Sequence, residues 1–228
     1  RQAIHLCEGT SGTEQIHASC LQHLASVVTS KGEGHLREAL ELYDHARALY
    51  EKVADSDADQ AHCLTQQADI TTHLGHLPDA EALYHQALTL YEHTNTPIKH
   101  ATCLQHLATC LAHTPNRTTD TLKTLDNALD ILTHTNTSET APQRLDILFS
   151  LTHTHLINGD HFLAQVHARA ALDLSHHPTV SQADAHHAHF TYAAVLQTQA
   201  DTTTSTKHKK DLLTQALNHA LPTALFDD

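Results

Sequence analysis

Apolar residues recur along this chain at the three- and four-residue spacing of amphipathic helices, and the whole pattern returns about every 41 residues. An Ala-x-Cys-Leu motif begins at Ala18, Ala61 and Ala101, and a degenerate copy without the cysteine begins at Gln143. One alanine of a second apolar pattern recurs at Ala3, Ala46, Ala87, Ala128, Ala171 and Ala216. Each period therefore predicts two amphipathic helices, the first starting near the Cys-Leu motif and the second ending past the recurrent alanine.

Turn-forming residues such as Gly75, Pro78 and Gly159 separate the two predicted helices of a period, and longer polar links separate the periods. The pattern predicts helix pairs at 14–54, 57–95, 97–135, 141–177 and 181–221, followed by a C-terminal tail at 222–228. Because Ala3 stands in register with the recurrent alanine, residues 1–10 are predicted to be the tail of a truncated preceding repeat. We interpret the chain as a piece of a longer protein.

Small residues explain how the predicted helices would pack. Ala25, Ala68 and Ala108 in the first helices, with the recurrent alanine of the second helices, let two backbones approach to about 8–10 Å. No single pair can bury its apolar face alone, so we expect the pairs to stack into an all-α solenoid.

The second period carries the signature of a known repeat. Leu64 and Ala68 lie four residues apart in the first helix, Gly75 is at the turn, and the second helix reads Ala-x3-Tyr-x2-Ala-Leu from Ala80 to Leu88. This pattern resembles the tetratricopeptide repeat (TPR), in the long-period form found in kinesin light chain and in bacterial ATPase-linked regulators. The chain departs from the usual TPR in having leucine for tryptophan, no closing proline and a period of about 41 residues instead of about 34. The resemblance implies a right-handed superhelical solenoid of antiparallel helix pairs.

Charge and composition exclude several classes of partner. The 13 Lys and Arg residues face 26 Asp and Glu, a formal net charge of −13, which disfavours binding to nucleic acid and to anionic membranes. No apolar run is long enough to span a bilayer. Five cysteines without a secretory signal favour reduced thiols and a cytoplasmic location. The 25 histidines are most simply interpreted as polar groups on exposed helix faces.

No motif for a nucleophile, an acid–base pair or a phosphate-binding loop is present, so we predict no enzymatic activity and no cofactor. Cys103, His106 and Cys110 fall within about 60° of one predicted helix, as zinc ligands could. The alternative is that both thiols are buried small hydrophobes, and we favour it because no fourth ligand is evident. Two histidine clusters, at 176–177 and 186–189, are interpreted as surface groups. The sequence therefore predicts no metal site.

The TPR resemblance implies that the first helices line a concave face and contact the ligand there. Aligned on the small residue of each first helix, the outward positions are polar. They are Gln22, Ser26, Thr65, Asp69, His73, Gln105, Thr109 and His113, and with a weaker alignment Asp146, Ser150 and His153. Amide, hydroxyl and imidazole groups suit an extended peptide or a helix held by hydrogen bonds. The alternative is that these residues form an ordinary solvated helix face.

These observations predict a non-catalytic scaffold that binds a protein or peptide on the concave face of the array. The alternative is a sensor or autoinhibitory arm of a larger signalling protein or ATPase-coupled transcription regulator, in contact with other domains of its parent chain. A third and weaker hypothesis is metal or pH sensing by the histidines.

Overall fold

The computed structural model describes residues 13–135 and 137–224. Within these ranges every regular element is a helix. The chain divides after Pro115 into two compact units. Residues 1–12 lie outside the described part, and so do the predicted truncated repeat at 1–10 and residues 225–228 of the predicted tail.

The described part of the first unit, residues 13–115, contains five α-helices. They are α1 (Glu14–Thr29), α2 (Leu36–Tyr50), α3 (Asp57–His73), α4 (Leu77–Tyr91) and α5 (Pro97–Ala112), with a 3-10 turn at Glu33–His35 before α2. Helices α1 and α2 pack as a pair, and so do α3 and α4. Neighbouring pairs join through α2 against α3 and α4 against α5, and the first helices α3 and α5 also touch each other.

The second unit contains the other five helices of the described chain. They are α6 (Thr118–Thr135), α7 (Ala141–Ile157), α8 (His161–Leu174), α9 (Gln182–Thr202) and α10 (Thr206–Ala224), with a 3-10 turn at Ser138–Thr140 before α7. Helix α7 pairs with α8 and α9 with α10, while α6 packs on α7 and α8 on α9. The all-helical architecture of packed pairs that the sequence predicted is confirmed.

The recurrent alanine is buried in the helix packing. Ala46 and Ala87 in the first unit are fully buried, and so are Ala128 and Ala171 in the second. A buried methyl group leaves room for the facing backbone, as the predicted packing requires. Ala216 near the end of the second unit is 7% exposed.

Tyrosines fill the layers between helix pairs of the first unit. Tyr43, Tyr50, Tyr84 and Tyr91 are buried. Their hydroxyls still find partners, since Tyr50 donates to Gln22 Oε1 at 2.8 Å. Burial raises the pKa of Tyr43 and of Tyr50 to about 12, so both phenols remain protonated donors.

The turn after α3 needs a left-handed residue, and Gly75 supplies it with φ of 82°. Its backbone N–H donates to the carbonyl oxygen of Thr72 at 2.9 Å, which closes the end of the helix. In the described residues no helix combines the length and the hydropathy that a bilayer crossing requires.

Candidate functional site

An open groove of about 740 Å³ runs along α3 and α5 of the first unit. Five predicted site residues line it, namely Asp69, His73, Gln105, Thr109 and His113. Tyr84 and His106 also line it. The groove exists because α3 and α5 touch side by side, which turns their polar faces toward one shared space.

Asp69 is the centre of a hydrogen-bond network in this groove. Its Oδ1 accepts from the hydroxyl of Tyr84 at 2.7 Å and from Nδ1 of His106 at 2.7 Å. Its Oδ2 accepts from Nε2 of Gln66 at 3.1 Å. The carboxylate on α3 therefore connects α4 and α5, and these bonds fix its orientation in the groove.

The charge state of the network follows from its contacts. The hydrogen bond from His106 to Asp69 raises the pKa of that imidazole above its usual value, against an opposing effect of desolvation. Burial and the negative charge of Asp69 both raise the pKa of Tyr84. The pair Asp69–His106 is thus an ion pair when the imidazole is protonated, with side chains 30% and 37% exposed.

Thr65 lies inside the helix packing, although the alignment placed it on the groove face. It is 4% exposed, and its Oγ1 donates to the carbonyl oxygen of Ala61 at 2.9 Å. A threonine hydroxyl can donate its hydrogen bond to a backbone carbonyl of its own helix. A polar side chain at this position therefore does not have to face the groove. Thr65 therefore does not contribute to the groove surface.

The two predicted residues of α1 lie outside this groove. Gln22 is half-buried, and its Oε1 accepts a hydrogen bond from the hydroxyl of Tyr50. Ser26 is exposed. Both remain candidates for contact with a ligand that extends beyond α3.

A second groove, of about 420 Å³, lies between α7 and α9 of the second unit. Ser150 and His153 line it together with Phe149, His187 and Phe190. The rings of Phe149 and His187 meet edge-on with centroids 4.4 Å apart. This groove is more apolar than the first, and Phe190 is 61% exposed.

Asp146 is exposed on α7, near this second groove but not among its lining residues. Desolvation and the charge of Asp184 raise the pKa of Asp146, while His187 opposes the rise. Its backbone carbonyl oxygen accepts a hydrogen bond from the hydroxyl oxygen of Ser150, 3.0 Å away.

The cysteines that raised the question of a zinc site face backbone instead. Cys103 Sγ contacts the carbonyl oxygen of Tyr84 at 3.9 Å, and Cys110 Sγ contacts that of Leu77 at 3.6 Å. Burial raises the pKa of the Cys103 thiol to about 12. Over residues 13–135 and 137–224 no group of three or more histidine, cysteine or acidic side chains is assembled for an ion.

No protein-family model matches the sequence, and no curated protein matches it. Solved structures do match. A putative kinesin light chain from Podosopora anserina with nearly identical TPR-like repeats is 17% identical, with a TM-score of 0.68, over 94% of this chain and 99% of that chain. BtubC from P. vanneervenii is 17% identical with a TM-score of 0.77, over 100% of this chain and 89% of that chain.

The chain has a TPR-like fold. A signal-transduction ATPase with numerous domains and a tetratricopeptide repeat sensor, from Pyrococcus horikoshii, is also similar, with 14% identity and a TM-score of 0.70. That match covers 93% of this chain and 31% of the ATPase.

Sequence reasoning missed two residues of the TPR-like groove in the first unit. It used Tyr84 only as part of the repeat signature from Ala80 to Leu88 and weighed His106 only as a metal ligand, whereas both bind Asp69. A signal was present, because His106 and the groove residue Gln105 are adjacent on α5 and their helix follows that of Asp69 by one period.

Proposed function

We propose that the chain is a non-catalytic, cytoplasmic binding scaffold whose groove between α3 and α5 holds a peptide segment of a protein partner. The observation that carries this proposal is the convergence of Asp69, His73, Gln105, Thr109 and His113 on one open groove. In the predicted five-pair array, this groove lies between the first helices of the second and third pairs.

The chemistry of the groove suits a peptide. Gln105 offers an amide donor and acceptor, and His73 and His113 are exposed imidazoles at the end of α3 and just beyond α5. An extended peptide needs both donors and acceptors along its length because its backbone carries both. The groove is open to water, which favours reversible contact over chemistry that requires an enclosed pocket.

The test starts from peptides selected against the whole chain from a random displayed library. A selected peptide is then titrated calorimetrically into wild type and into the triple variant Gln105→Ala, Thr109→Ala, His113→Ala. We expect the triple variant to bind at least about tenfold more weakly, since a few central contacts carry most of the binding energy.

A matched control removes the same residue types from a face that does not line the groove. The triple variant His85→Ala, Gln86→Ala, Thr89→Ala lies on exposed positions of α4. We expect its affinity to stay within about twofold of wild type. Equal loss in both triple variants, or equal binding by all three proteins, would show that the groove is not the binding surface.

A second candidate function is a sensor arm of a larger regulator. The similarity to an ATPase that carries a tetratricopeptide repeat sensor favours it. Determining the coding sequence upstream of Arg1 tests this candidate. A Walker-type GxxxxGK[ST] motif there supports the regulator, and further repeats alone would argue for the scaffold.

A further inference from the structure

Three imidazoles line the groove between α3 and α5, those of His73, His106 and His113. His73 and His113 are exposed and occupy equivalent positions, each five residues after the aligned alanine of its helix, Ala68 or Ala108. Because packed helices lie about 8–10 Å apart, we expect these two imidazoles to stand on the two sides of the groove at roughly that separation. A bound peptide can therefore contact both.

The carboxylate of the groove is already engaged. Asp69 is the acidic residue among the described side chains that line it, and it accepts hydrogen bonds from Tyr84, His106 and Gln66. The bond to Asp69 raises the pKa of His106, and the protonated pair carries no net charge. The titratable groups that remain for a ligand are the imidazoles of His73 and His113.

The neighbouring elements bring no further charge to the described lining of the groove. Helix α4 contributes Tyr84, and burial together with the negative charge of Asp69 raises the pKa of that phenol, so it stays protonated. Helix α2 packs on α3 but does not line the groove in the part of the chain that the structure describes. At the beginnings of α3 and α5, away from the groove, Nζ of Lys99 lies 4.0 Å from Oδ1 of Asp59.

We propose that this groove selects an acidic peptide, whose carboxylate is held between the imidazolium groups of His73 and His113, and that binding takes up protons. The inference rests on the proposed function, since it names the peptide class and the regulation of the same groove. The formal charge of Asp69 and the three histidines together changes from −1 to +2 when all three imidazoles are protonated. Histidine gains its charge between about pH 8 and pH 5, whereas peptide carboxylates keep theirs in that range. The affinity should therefore rise as the solution is acidified.

The net charge of the chain opposes an acidic ligand at long range, since its formal value is −13 with neutral histidines. Salt at about 0.15 M screens exposed charges that are more than about 8 Å apart, so the groups in direct contact with the carboxylate decide its binding. Charged hydrogen bonds at an open site are individually modest. We expect an affinity about fivefold higher at pH 5.5 than at pH 7.5.

The first test uses peptides selected from a random displayed library against the whole chain at pH 5.5. Those that the variant Gln105→Ala, Thr109→Ala, His113→Ala binds at least about tenfold more weakly are taken as groove ligands. We expect them to be enriched in Asp and Glu. Each is then titrated calorimetrically at pH 5.5 and pH 7.5 into wild type and into the double variant His73→Gln, His113→Gln.

Wild type should bind about fivefold more tightly at pH 5.5, and the two affinities of the double variant should agree within about twofold. The matched control is His45→Gln, His93→Gln, which removes two exposed imidazoles of the first unit that do not line the groove. This control should keep the wild-type ratio. Circular dichroism of each variant confirms that it folds.

The second test counts protons. Titrations at pH 6.5 in two buffers of different ionisation enthalpy should show a net uptake of about one proton per peptide bound to wild type, and less than half of that in the double variant. Replacing Asp and Glu of the peptide with Asn and Gln should remove the pH dependence.

The inference is overturned, with the groove still a binding surface, by any of three results. They are groove ligands without acidic residues, equal wild-type affinity at the two pH values, and an unchanged pH dependence in the double variant. If no selected peptide depends on the groove, the proposed function fails and this inference fails with it.

Discussion

Asp69 on α3 and His106 on α5 are 37 residues apart and are joined by a hydrogen bond of 2.7 Å between Oδ1 and Nδ1. The contact connects two consecutive repeats across the groove proposed to bind a peptide. Tyr84 binds the same oxygen, so three helices meet at a single carboxylate.

His106→Gln should lower stability most at mildly acidic pH. The folded pKa of His106 is raised, so its ion pair stabilises the fold fully below about pH 6.5, where the unfolded imidazole is also protonated. That contribution is lost as pH rises through the folded pKa. We expect a cost of about 0.5–1 kcal/mol at pH 5.5 and a smaller one at pH 9. Urea unfolding followed by circular dichroism measures both values, and His93→Gln, at an exposed site, is the control. A cost that does not change with pH would contradict the ion pair.

Tyr84→Phe should destabilise the chain more than Tyr50→Phe. Both substitutions remove one hydroxyl from a buried ring, but Tyr84 donates to the carboxylate of Asp69 while Tyr50 donates to the neutral amide of Gln22. Hydrogen bonds to charged groups contribute about 1.5–3 kcal/mol and neutral ones about 1 kcal/mol. Thermal unfolding of the two variants side by side gives the comparison. Equal losses would mean that the Asp69 network adds nothing to an ordinary hydrogen bond.

Gly75→Ala should cost about 1 kcal/mol, because φ of 82° puts any side chain into the left-handed region. Gly34→Ala is the matched control. No atom lies within 4 Å of an added Cβ at either glycine, and Gly34 does not have a positive φ. The difference between the two variants in the free energy of unfolding, measured in urea, isolates the backbone strain at residue 75. A difference near zero would refute that strain.

Lowering the pH should reduce the stability of the second unit, because the folded state disfavours protonation of His167. Its pKa is lowered by desolvation and by His155, whose ring stacks on it with centroids 5.2 Å apart, while Asp126 opposes the shift. A lowered folded pKa means that its contribution to stability is present above about pH 6.5 and lost as pH falls through the folded value. His167→Gln should therefore lose less stability than wild type between pH 7 and pH 5. His153→Gln, exposed on α7, should behave as wild type in the same unfolding series.

The sequence was sufficient to predict the helices, because they follow from the local spacing of apolar residues and from its regular recurrence along the chain. Ala46 and Ala87 recur at one period and are both fully buried, as the packing of two backbones requires. The turn at Gly75 was also readable, since a left-handed residue is a local requirement.

Side-chain contacts between repeats were less predictable. Asp69 could be placed on the groove face, but its bond to His106 depends on how α3 and α5 are rotated, which no short pattern encodes. Thr65 shows the opposite failure. Its hydroxyl binds its own helix, so polarity alone did not indicate exposure.

The buried thiols of Cys63 and Cys103 provide natural reporters of local opening. They occupy equivalent positions on α3 and α5, and burial raises the pKa of each to about 12. A thiol reacts as the thiolate, so alkylation at neutral pH requires the helix around it to open first. Comparing the two labelling rates would then rank the opening of two neighbouring repeats within one unmutated chain.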